Sequence, residues 1–112
     1  MTPPTSIVRR DPDVDPVIPG IRRHVVHGDR MTAIVAYLDA GALLPRHTHE
    51  AEQLTTVLSG SLRITVWDGD AEETVDVGPG ETILIRPNIL HETLALADAE
   101  CREAFAPPRL DI

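Results

Sequence analysis

The chain of 112 residues predicts an all-β fold in one domain, and three observations carry that prediction. Short apolar segments recur from Ile21 onward, side chains inside them alternate with period two, and no stretch shows the 3.6-residue period of an amphipathic helix. A chain of this length builds one core and not two. Many short strands at close spacing make a β-sandwich or a small closed barrel.

Taken in order, residues 1–19 are expected to be an N-terminal arm or loose tail. Pro3, Pro4, Pro12 and Pro16 stand among alternating acids there, and that composition does not sustain a hydrogen-bonded ladder. Residues 20–112 are the expected barrel domain. The segments IRRHVV, MTAIVAYL, QLTTVLS, SLRITVW, TVDV, ETILI, ETLALA and REAFA follow one another, separated by Gly, Asp and Pro. Met31, Ala33, Val35 and Tyr37 alternate with Thr32, Ile34, Ala36 and Leu38, so each set lines one face of a strand. Leu62, Ile64 and Val66 alternate with Arg63 and Thr65 in the same way. Asp68-Gly69 suits a hairpin turn, and Pro79-Gly80 marks the next junction.

Composition removes several classes of function. A formal charge of −8 repels nucleic acid and anionic lipid, so neither is an expected partner. Hydrophobic residues make up 42%, yet no apolar run approaches the length of a membrane helix. The N-terminal stretch lacks the pattern of a secretory signal, and the cytoplasm is the expected compartment. The single cysteine, Cys101, cannot form an internal disulfide and fits a small core position in a reducing environment. All ten basic residues are arginine, which excludes Schiff-base chemistry on a lysine.

Five histidines remain: His24, His27, His47, His49 and His91. Residues i and i+2 of a strand share a face, so His47 and His49 can present both rings to one point, whereas His24 and His27 face opposite ways. A neighbouring strand can return His91 to that pair. Three imidazoles and one oxygen donor such as Gln53 make a first shell for one divalent transition ion, whether Zn, Fe, Ni, Mn or Cu. An H-x-H pair alone also occurs on ordinary surfaces, so the wider pattern matters.

Gly41, His47, His49, Gln53 and Gly60, followed by Gly80, Pro87 and His91, resemble the two sequence motifs of the cupin family. The resemblance spans the chain from about Ile21 and implies a jelly-roll barrel of six to eight strands with a metal ion in its mouth. Gln53 stands where many cupins carry glutamate, Ala95 where the second motif often ends in asparagine, and Asn88 where glycine is usual. Asparagine tolerates the left-handed turn required there. Glutamine offers a carbonyl oxygen but neither charge nor a titrating proton, which disfavours a mechanism with the ligand carboxylate as base.

The runs RPNILHE and CREAFAPPRLDI are similar to those of small cupins of pectin and alginate breakdown, which open unsaturated uronic acids to linear keto acids. That resemblance implies Glu103 and Arg109 as catalytic residues, with Phe105 and Arg109 lining the substrate pocket. The group usually has aspartate where this chain has Glu103, whose longer side chain moves the carboxylate by about 1 Å. In this reading Glu103 shuttles a proton and Arg109 holds a substrate carboxylate by a two-pronged contact. Tyr37 is a further candidate to give a hydroxyl to the pocket.

The expected protein is therefore a metal-dependent enzyme for a small carboxylated molecule, working by ring opening or isomerisation without redox chemistry. A three-histidine iron dioxygenase, a natural-product cyclase and a cupin that only binds a small ligand are the alternatives. A homodimer is expected, because pairing hides the open edge of a sheet.

Overall fold

The computed structural model describes residues 6–112 and contains ten strands: β1 (Asp15–Ile18), β2 (Ile21–His27), β3 (Thr32–Leu38), β4 (Leu43–His47), β5 (Glu52–Ser59), β6 (Leu62–Asp68), β7 (Ala71–Val77), β8 (Thr82–Ile85), β9 (Leu90–Ala95) and β10 (Ala99–Ala106). All pairings are antiparallel. The strands form a six-stranded sheet in the order β1-β2-β3-β10-β5-β8 and a four-stranded sheet in the order β4-β9-β6-β7. No helix among the described residues is long and apolar enough to cross a membrane. This is the all-β jelly roll expected, with ten strands in place of six to eight.

The period-two pattern sorts side chains as predicted. On β3, Thr32, Ile34, Ala36 and Leu38 are buried, while Ala33, Val35 and Tyr37 lie on the outer face. Val57 from β5, Leu62 and Ile64 from β6 and Cys101 from β10 join them between the sheets. Each large apolar side chain taken fully out of water there contributes about 1.5–3 kcal/mol.

Two strands depart from the expected reading, and both contain a proline. Residues 1–19 are not all arm, because Asp15–Ile18 pairs with β2 as β1; residues 1–5 of that arm lie outside the described residues. Pro16 is admitted because β1 is an edge strand, so one side of it needs no donors. Pro45 sits in β4, likewise an edge, where the register slips between Leu44 and His47.

Tight junctions shape the ends of the barrel. Gly60, between β5 and β6, has φ +78°, and a Cβ placed there would lie 2.1 Å from the Asp98 carbonyl oxygen. Asn88 takes φ 63° ahead of β9, as expected of asparagine, and its N–H donates to the His49 carbonyl at 2.9 Å. That bond ties the loop carrying one histidine to the loop that leads into another.

Candidate metal centre

His47 is the last residue of β4 and pairs across the ladder with His91 of β9. His49 lies beyond the end of β4, in the loop before β5, so its convergence with His47 comes from the loop and not from a shared strand face. The three rings gather at one point: their centroids are 4.2 Å (His47–His91), 5.0 Å (His49–His91) and 5.6 Å (His47–His49) apart. One nitrogen from each lies within 4.8 Å of the others.

The backbone fixes which nitrogen is offered. His47 Nδ1 donates to the Pro45 carbonyl at 2.8 Å, His49 Nδ1 to Ala51 at 2.7 Å and His91 Nδ1 to Ile89 at 2.8 Å. A carbonyl only accepts, so each Nδ1 carries the proton and each neutral ring keeps its Nε2 lone pair. Burial pushes His91 down to about 4, reinforced by its histidine neighbours and Arg109 and opposed by the Ile89 bond. Burial lowers His49 as well, against the raising effect of its bond to Ala51. Both shifts favour the neutral ring of His49 and of His91, the form that ligates a metal.

Gln53 completes the set. Its Oε1 stands 3.1 Å from His49 Nε2, so two atoms bearing lone pairs face each other with no hydrogen between them. The His91 Nε2 is buried without a hydrogen-bond partner. Such an arrangement is costly unless a cation shares the lone pairs. The donor set thus fits a divalent transition ion, held by three Nε2 atoms and Oε1 of Gln53.

Glu103, on β10, adjoins this set through Gln53. Gln53 Nε2 donates to Glu103 Oε2 at 2.6 Å and to Thr55 Oγ1 at 2.9 Å, and the Thr55 hydroxyl donates to Glu103 Oε2 at 3.2 Å. Burial raises the Glu103 carboxyl above its ordinary value, opposed by the Thr55 hydroxyl and the guanidinium groups of Arg23 and Arg109.

With this geometry in view, the sequence matches the family described as the cupin domain over residues 34–105. The chain belongs to the cupin family. Among solved structures, this cupin is similar to KdgF from Halomonas sp., at 28% identity and a TM-score of 0.79, covering 88% of this chain and 89% of that one. An RmlC-like cupin from Shewanella frigidimarina matches at 21% identity and a TM-score of 0.76, covering 88% and 86%. Oxalate decarboxylase from Bacillus subtilis shares the fold at 22% identity and a TM-score of 0.70, over 78% of this chain and 25% of that one. No curated protein matches the sequence.

The remaining candidates of this cupin divide. Phe105 is buried, its ring edge-on to His49 at a centroid distance of 5.5 Å, and the Arg109 guanidinium lies 5.2 Å from its centroid. Arg109 is also gripped by Asp111, at 2.6 Å and 3.3 Å. Tyr37 does not join them: it projects from the outer face of β3, where Arg22 stands 5.5 Å from its ring. Strand parity decides this, since the buried face of β3 belongs to the even-numbered residues.

Three polar residues at the cupin's barrel interior were not singled out from the sequence. Thr55 follows Gln53 on the inward face of β5, and Arg23 lines the cavity that also holds Gln53, Thr55 and Glu103. Thr32, fully buried, accepts from the Arg109 N–H at 2.9 Å and bonds to His27 Nδ1 at 2.9 Å. The His27 Nε2 donates in turn to the Ile112 carbonyl at 3.2 Å, so the segment bearing Arg109 is pinned at both ends. Alternation held the signal for all three, because each shares strand parity with a buried apolar neighbour.

Proposed function

We propose that this cupin is a metal-dependent enzyme that opens or isomerises the ring of a small carboxylated substrate of the unsaturated uronate type. The observation that carries the reading is the adjacency of three converging imidazole nitrogens and the Gln53 amide oxygen to one carboxyl group, that of Glu103, joined to them by the side chain of Gln53. The similarity to KdgF and the resemblance of the C-terminal run to those of uronate-opening cupins support the substrate class.

A bound divalent ion supplies Lewis acidity to substrate oxygen atoms. Arg109 binds and orients the substrate carboxylate by exchanging Asp111 for it, since the bidentate contact already made to Asp111 is the one a ligand carboxylate makes. Phe105 offers an apolar wall beside His49 and keeps water from that side. Glu103 moves the proton at Oε1, the oxygen that takes no part in the bonds from Gln53 and Thr55. Two copies of the chain pair as a homodimer in this proposal.

The test is to follow a 4,5-unsaturated uronic acid by ultraviolet absorbance and NMR under anaerobic conditions, with protein reconstituted with each of several divalent ions and a metal-free control. Metal-dependent loss of the enol ether signal without oxygen uptake is expected. Absence of turnover with every ion, despite one bound metal per chain, would reject the ring-opening reading.

A further inference from the structure

We infer that Glu103 sets the orientation of the Gln53 amide, so that its oxygen and not its nitrogen faces the three histidines; Glu103 is then a positioning residue of the metal centre. This rests on the metal-binding reading above and adds a role that its proton-moving function does not require.

A primary amide has a donor end and an acceptor end of nearly the same shape, and what surrounds each end decides which way it points. On one side of Gln53 stands His49 Nε2, whose neutral ring offers only a lone pair because Nδ1 is committed to the Ala51 carbonyl. On the other stand Thr55 Oγ1 and Glu103 Oε2. Left with His49 alone, the amide would turn its NH2 toward the lone pair of Nε2 and cap it, occupying the atom a metal needs.

The hydroxyl of Thr55 does not oppose that turn, since it donates or accepts as required. The carboxylate of Glu103 does. Its Oε2 receives two donors, the Gln53 N–H at 2.6 Å and the Thr55 O–H at 3.2 Å, so it acts as a pure acceptor. Reversing the amide would bring Oε1 of Gln53 against that oxygen at the same short distance. Two acceptors, His49 Nε2 and Glu103 Oε2, compete for one NH2 group, and Glu103 Oε2 takes it at 2.6 Å with Thr55 Oγ1 beside it at 2.9 Å, which uses both N–H bonds of the amide on that side. The oxygen is thereby left on the histidine side before any metal arrives. Such outer partners of a ligand typically change metal affinity 10–100-fold when removed.

The decisive experiment compares the wild type, Glu103→Gln and the exchanged pair Gln53→Glu/Glu103→Gln in Zn(II) and Co(II) titrations against a chromophoric chelator, with Co(II) absorption spectra and melting curves of the metal-free proteins. Glu103→Gln should keep one site per chain but bind about tenfold or more weakly, with an altered Co(II) spectrum. The exchanged pair, with the carboxylate oxygen toward the histidines and an amide N–H behind it, should recover the lost affinity. Unchanged affinity and spectrum in Glu103→Gln would overturn the inference while leaving the metal site intact. Equal weakening in the exchanged pair, with both variants folded, would overturn it too, since a merely structural loss is not rescued by exchange. A wild type that takes up neither metal would remove the metal reading and this inference with it.

Discussion

His91 combines complete burial with a ring nitrogen that has no partner, and this makes the metal-free protein sensitive to acid. Its value near 4 in the folded chain lies below the ordinary 6.5. Between those values the unfolded chain binds the proton and the folded chain does not, so stability falls as pH drops through that window, by about 3 kcal/mol from this residue. Urea melts of the metal-free protein at pH 7 and pH 4.5 should show the loss, and His91→Gln should flatten it. For the site itself, His49→Ala is expected to abolish stoichiometric metal binding, measured by elemental analysis. Arg109→Ala should raise KM for the carboxylate substrate at least tenfold with unchanged metal content; an unchanged KM would return Arg109 to a structural role. At this scale the spacing of His47, His49, Gln53 and His91 was legible because motif spacing is itself a sequence property. The links through Thr55 and Arg23 were not, because alternation tells which face a side chain takes but not which polar atoms meet across two strands.

Among the elements, eight of the ten strands follow from apolar alternation and turn residues. The other two, β1 and β4, carry prolines and too few apolar residues to register a period. Their edge positions explain both the tolerance of proline and the weak signal. The end of β4 shows the limit of strand reasoning most plainly: His47 belongs to the strand and His49 to the loop, yet the rings converge because the His49 carbonyl is held by Asn88 N–H. The β5–β6 junction gives a prediction of its own. Gly60→Ala combines a left-handed backbone with a Cβ driven onto the Asp98 carbonyl and Ala99, so it should cost more than about 2 kcal/mol. Gly69→Ala, where nothing lies within 4 Å of the added carbon, should cost about 1 kcal/mol or less, from φ alone. Thermal melts of the two variants separate a clash from a conformational cost.

At the level of the whole molecule, the six-stranded sheet leaves apolar side chains outside, among them Leu54 at 45% and Leu84 at 51% exposure, and Met31, just ahead of β3, is 46% exposed. They adjoin one another with Ala104 in a shallow depression. An uncovered apolar face of that kind is typical of an interaction surface, and it supports the proposed homodimer. Light scattering should report twice the monomer mass for the wild type and monomer mass for Leu54→Glu/Leu84→Glu; a monomeric wild type would reject the pairing. On the inner side, the three imidazoles take their tautomers from main-chain carbonyls of Pro45, Ala51 and Ile89. Any side chain at those three positions presents the same carbonyl. Descent with modification can therefore rewrite the surroundings of the ion, and with them the substrate, while the protonation pattern that receives the ion is inherited with the path of the chain.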